Sequence, residues 1–166
     1  MFTDKTRDIV IRPAREKDLT DVLCLYAQPK FDNGGILTLA QARRIFQRIR
    51  SYPDYKIYVV LIEKKIVGSF ALLIMDNLGH RGTPSGIVED VVVDEEYQRK
   101  GIGRAMMKCA SRLCQEKNCY KLVLSSNLNR KQAHAFYKSL GFKMHGYSFR
   151  LDKLQEKGQD QLGFKQ

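Results

Sequence analysis

The chain has 166 residues, 43% hydrophobic and 28% charged, with a formal net charge of +11. This is the size and composition of one globular domain able to bury a sizeable core. The longest apolar run, residues 66–75, is too short to span a bilayer, and residues 1–5 lack the apolar stretch of a secretory signal. A cytoplasmic chain with no membrane contact is expected.

Residues 9–13 read as a first strand, stopped by Pro13. Residues 15–27 place Leu19, Val22, Leu23 and Tyr26 at helical spacing. Residues 28–35 hold a proline, an Asp-Asn pair and two glycines, which predicts a loop. A second helix follows Thr38, a good N-cap, with Ala42, Ile45, Phe46 and Ile49 on one face. Residues 57–62 and 66–75 form a predicted hairpin turned by Glu63, Lys64 and Lys65. Residues 76–85 are a loop and 86–93 a fourth strand. A helix over 103–116, a strand over 120–124 and a helix over 131–140 follow, the last closed by Gly141. Residues 142–144 and 147–151 read as two closing strands. The expected fold is α+β: one domain over residues 1–151, a mixed central sheet of about seven strands and about four flanking helices. Residues 152–166 form a polar tail. The strand-helix-strand unit over 86–124 sets two strands parallel.

The stretch that carries chemistry runs from Val91, Val92 and Val93 through an acidic turn to Gln98, Arg99, Lys100, Gly101, Ile102, Gly103 and Arg104. A strand enters a glycine-containing loop, and the loop opens a helix. The first N–H groups of a helix lack intrahelical partners and add to the positive end of its dipole, so they attract anions. Glycine lets a phosphate approach the backbone, and three basic side chains add charge at the same place. By spacing alone the pattern also fits a tight turn before an ordinary helix. It lacks the third glycine of a dinucleotide fingerprint and the Gly-Lys-Ser/Thr of a P-loop.

Cys24, Cys109, Cys114 and Cys119 fit no zinc spacing, and neither do His80, His134 and His145, so no metal is expected. The positive charge attracts polyanions, but it equally serves solubility. No helix-turn-helix, zinc-finger or RNP sequence is present, which argues against nucleic acid.

Gln98-x-x-Gly101-x-Gly103 resembles the Gln/Arg-x-x-Gly-x-Gly/Ala signature of the GCN5-related N-acetyltransferase superfamily. Val91 to Val93 with the acidic turn resembles its central strand, and Asn129, Ala133, Phe136, Tyr137, Gly141 and Phe142 resemble its second conserved block. Residues 87–93 and Cys119-Tyr120-Lys121 further resemble the glucosamine-6-phosphate N-acetyltransferase branch, from which residues 125–135 depart.

The resemblance implies an acyltransferase that moves an acetyl group from acetyl-CoA to a primary amine of an amino sugar, polyamine or amino acid, through a ternary complex. The loop amides of Arg99 to Arg104 would hold the CoA pyrophosphate, with Gln98 in the signature. The strand Val91 to Val93 would pair with the pantetheine arm by β-addition. Asn129 would bond the pantetheine or the nearby backbone, or cap the last helix, and Phe136 would lie at the cofactor. Tyr137 would protonate the leaving thiolate, or it is a core tyrosine on the stripe of Ala133, Phe136 and Leu140. Glu89 and Asp90 are candidate bases, pointing to opposite faces by strand alternation unless a bulge breaks it. His80, Arg81 and the 31–37 loop are placed to border the acceptor. An acyl-CoA sensor without turnover, acetylation of a protein amine, and a homodimer are the alternatives this reading leaves open.

Overall fold

The computed structural model describes residues 2–4, 9–32 and 35–151. The chain divides into two compact units, Met1–Ser125 and Ser126–Gln166.

The first unit is built on one sheet with strands in chain order: β1 (Phe2–Asp4), β2 (Ile9–Pro13), β3 (Tyr55–Ile62), β4 (Lys65–Met75), β5 (Ser85–Val93) and β6 (Lys121–Leu124). Every neighbouring pair is antiparallel except β5 and β6. The parallel pair is joined by a helix, α4 (Ile102–Glu116), as a crossover requires. Between β2 and β3 lie α1 (Leu19–Tyr26), α2 (Pro29–Asp32) and α3 (Leu39–Ser51). The short α2 occupies the stretch expected to be loop. Pro29 suits a first helical position, and Phe31 stacks on Tyr26 with ring centroids 4.8 Å apart. Thr38 caps α3 as expected: its hydroxyl accepts from the Gln41 N–H, and Gln41 accepts from the Thr38 N–H.

The sheet is smaller than the seven strands expected. It has five strands of four residues or more plus the three-residue edge β1. Residues 142–144 and 147–151 belong to the second unit and take no strand conformation. Alternating apolar residues are not enough for a strand; the backbone also needs a ladder partner. Met144, Tyr147, Phe149 and Leu151 are 70–93% exposed there.

Two glycines let α4 lie close on the sheet. A β carbon at Gly68 would meet the Met106 side chain and the Val92 carbonyl, and one at Gly86 would meet Cys114 and Leu122. Met106, Ile102 and Ala110 are fully buried in consequence. A separate cluster joins α1 to the sheet through Val22, Leu25, Val59, Ile66 and Val92.

One buried ion pair fixes the entry to α1. Arg12 grips Asp18 with two hydrogen bonds of 2.6 and 2.9 Å, and Asp18 also accepts the Arg15 N–H at 2.7 Å. The Arg12 hydrogen bonds hold the Asp18 carboxyl below its ordinary value, against the opposing effect of burial. A carboxylate held low adds stability that is complete above its unfolded pKa and lost as pH falls through the lower folded one. Asp18→Asn is expected to cost about 2 kcal/mol at pH 7, because it weakens charge-assisted hydrogen bonds to a half-buried guanidinium. The deficit relative to the parent should shrink as pH falls from the ordinary carboxylate range through the lower folded pKa of Asp18, read in denaturant titrations at a series of pH values.

Candidate active site

The end of β5 is where the sheet comes apart. Ladder pairs with β6 run from Ser85↔Lys121 to Val88↔Leu124 and stop, while β5 continues to Val93. Among the described residues, the edge of Val91 to Val93 that faces away from β4 carries no strand. A bulge on the other edge of β5 lies beside this opening. Its register with β4 steps from Ser69↔Val92 to Ala71↔Glu89, so three residues of β5 answer two of β4. Asp90 has φ of +52°, a left-handed conformation that a non-glycine residue adopts only where its surroundings hold it.

The bulge corrects the alternation argument. Glu89 lies opposite Ala71 and Val92 opposite Ser69, so strict alternation does not carry across the bulge. Burial raises the Tyr55 phenol above its ordinary value, and the charges of Asp90 and Glu89 add to that rise. Glu89 is pushed above the ordinary carboxylate value by partial desolvation and by the charge of Asp90. A raised carboxyl is the kind suited to accept a proton near neutral pH.

The loop after β5 is bent into an anion-binding shape. Arg99 (φ +58°) and Gly101 (φ +84°) are both left-handed, a conformation from which anion-binding backbone turns are built. Gly101 is the N-cap of α4 and, having no side chain, leaves the first N–H groups of the helix for a ligand. No acidic residue lies in the first turn of α4. Gln98 braces the loop: its amide donates to the Val93 carbonyl at 3.3 Å. Lys100 lies over the Tyr97 ring at 4.8 Å. Arg99 and Arg104 are exposed, Gly103 is half-buried, and Ile102 is anchored in the core.

A second cluster, missed as a unit by sequence reasoning, forms where β5 and β6 begin. His80, Arg81 and Gly82 are three consecutive left-handed residues in a short 3-10 turn. Thr83 closes the turn on the His80 carbonyl at 2.7 Å, and the Asn77 side chain donates to the Thr83 carbonyl at 3.0 Å. The turn stacks His80 on Tyr120 at 4.2 Å, and the Lys121 ammonium lies over the Tyr120 ring at 5.1 Å. The sequence named His80 and Arg81 in one loop and Tyr120 and Lys121 in another, and only the structure brings His80 onto Tyr120. A hollow of about 80 Å³ lined by Asp54, Tyr58, Leu113 and Lys117 lies at the far end of α4. It is too small for a nucleotide-bearing ligand and does not mark this site.

In the second unit, α5 (Lys131–Ser139) carries Phe136 and Tyr137, both half-buried. The Tyr137 ring meets Phe136 at 5.1 Å and Phe142 edge-on at 5.7 Å. Asn129 does not cap α5; Arg130 holds that position, and the Asn129 N–H donates to the Asn127 side chain at 2.9 Å. Among the described residues no group of His, Cys, Asp and Glu has the arrangement of a metal site.

Residues 20–142 match the model of the acetyltransferase (GNAT) family. The chain belongs to that family, and it is an acyltransferase. It is 31% identical over 149 residues to the glucosamine 6-phosphate N-acetyltransferase of Trypanosoma brucei brucei, covering 87% of this chain and 96% of that one. The solved structure of an acetyltransferase from Trypanosoma brucei superimposes with a TM-score of 0.76 at 30% identity, over 87% of this chain and 99% of that one. The glucosamine-6-phosphate N-acetyltransferase of Arabidopsis thaliana gives 0.73 at 26% identity, over 89% and 99%. No helix among the described residues is long and apolar enough to cross a membrane.

Proposed function

We propose that the chain transfers the acetyl group of acetyl-CoA to the amine of glucosamine 6-phosphate. The observation that carries the donor half is the parting of β5 from β6 beside the left-handed loop. An extended amide-bearing arm fits the edge of Val91 to Val93, and a pyrophosphate fits the amides from Arg99 to Gly103 with Arg99 and Arg104 beside them. The reading takes residues 1–151 as the catalytic domain, with the family match over 20–142 in support. Asn129 and Phe136, in the second unit, keep the cofactor roles that the family resemblance implies.

The acceptor half draws support from the relatives' activity and from the turn at His80. The basic side chains His80, Arg81 and Lys121 gathered around Tyr120 suit a phosphate. Acetyl-CoA supplies the activated thioester. Glu89, with Asp90 beside it, takes the proton that the attacking nitrogen sheds. Backbone N–H groups of the bulged strand polarise the carbonyl, and Tyr137 returns a proton to the departing sulfur. The amine must be neutral to attack, so the rate rises with pH to a plateau.

Thiol release from acetyl-CoA across a panel of amines tests this. Glucosamine 6-phosphate is expected to exceed glucosamine in kcat/KM by about a hundredfold, the worth of two charged hydrogen bonds. Equal rates on the two sugars, or a preference for a polyamine or peptide amine, would overturn the acceptor assignment.

A further inference from the structure

Cys109 and Cys119 each stand five residues from Cys114, one on either side. Five residues of helix rise about 7.5 Å, beyond the reach of a disulfide. Cys109 and Cys114 both lie inside α4, so their sulfurs are kept apart. Cys119 lies past the end of the helix, where the chain folds back. Asn118 takes a left-handed φ of +55°, and its N–H donates to the Gln115 carbonyl at 3.0 Å. The Cys119 N–H donates to the Cys114 carbonyl at 2.9 Å. These two bonds are the Schellman closure of a helix, in which the side chains of the outer two residues commonly meet.

Both of those residues are cysteines. Cys114 is buried, and its sulfur lies against the backbone of β5, where a β carbon at Gly86 would run into it. Burial pushes the Cys114 thiol up to about 12, with a further rise from the charge of Cys119 and a hydrogen bond to its side chain. Cys119 is only half-buried. The pair therefore has an inner sulfur that stays protonated and an outer one within reach of a dissolved reagent. Tyr120, next in the chain, donates its N–H to the Pro84 carbonyl at 3.0 Å, so the pair stands one residue from the His80–Tyr120 stack.

We propose that Cys114 and Cys119 are a reversible thiol–disulfide pair that exchanges with low-molecular-weight disulfides of the glutathione type. The Cys119 thiol releases its proton to water, and the thiolate attacks one sulfur of glutathione disulfide. That S–S bond breaks, and the first glutathione leaves with the electron pair and takes up a proton. The Cys114 sulfur then attacks Cys119, and the second glutathione leaves with the proton that Cys114 gives up. Two protein thiols are thereby oxidised to one disulfide, and one glutathione disulfide is reduced to two thiols. The hydrogen-bonded turn holds the two residues together beforehand, so the second step outruns attack by another glutathione.

The folded protein is incubated with excess glutathione disulfide, quenched with N-ethylmaleimide in denaturant and digested with trypsin. Cleavage after Arg112, Lys117 and Lys121 puts Cys114 in the peptide 113–117 and Cys119 in the peptide 118–121. The expected result is these two peptides joined by a disulfide, and separated again by dithiothreitol. The exposed Cys24 gains a glutathione adduct, which shows that the reagent acted on the protein. In Cys119→Ser the buried Cys114 should stay a thiol, oxidised about tenfold less than in the parent. A glutathione adduct that persists on Cys119, with Cys114 alkylated, would overturn the proposal. So would two intact thiols beside a modified Cys24, a bridge to Cys109, or a bridge that forms only in urea. Should Cys119→Ser fail to fold, the parent digest decides alone.

Discussion

Gly101→Val is expected to weaken CoA binding by about a hundredfold, roughly 2.7 kcal/mol at 1.36 kcal/mol per tenfold. Gly101 sits at φ +84° as the N-cap of α4, where a β-branched residue is an outlier. Relaxing that strain rotates the amides that would face the pyrophosphate. The same strain lowers stability by about 1–3 kcal/mol, so binding and folding must be separated. Arg99→Gly does this. Its φ of +58° is natural to glycine, so the substitution removes charge without straining the turn. It should weaken CoA about tenfold, flatten the salt dependence and leave the melting temperature unchanged or higher. Titration calorimetry with CoA, beside thermal melts, reads both variants. CoA affinity untouched by Gly101→Val would remove the loop from the donor site.

Tyr137→Phe should lower kcat by about a hundredfold while CoA affinity stays within about twofold. The ring contacts with Phe136 and Phe142 are kept in the variant, and thermal melts check its folding. A proton donor is used only when the thiolate leaves, so the loss belongs in kcat and not in ground-state binding. Single-turnover rates across pH, at saturating amine, make the measurement. Parent-like rates would mean that solvent protonates the sulfur, and the core-tyrosine alternative would then stand.

Most elements of the fold were legible because they are local. The α4 stripe of Ala105, Met106, Cys109 and Ala110 is buried on the sheet as its spacing demands. Thr38 announced its helix through a capping box, a contact three residues long. The failures were of another kind. The segment over 142–151 has the alternation of strands, yet a strand exists only where a neighbour supplies N–H and C=O groups, and alternation does not encode the neighbour. The Asn129 cap failed by one position: Arg130 holds the N-cap of α5, and no side chain caps it.

The sequence by itself determined the family and marked out the loop before α4 as the proposed donor site. Gln98 to Arg104 is contiguous, and Gly101 suits the left-handed turn at which the helix starts. Only the tertiary structure decided what stands around the reaction centre. A bulge is a mismatch between two strands, so the side to which Glu89 turns depended on β4 as much as on β5. The His80–Tyr120 stack joins residues forty positions apart. Such sites arise from register and packing, which no local pattern of residues records.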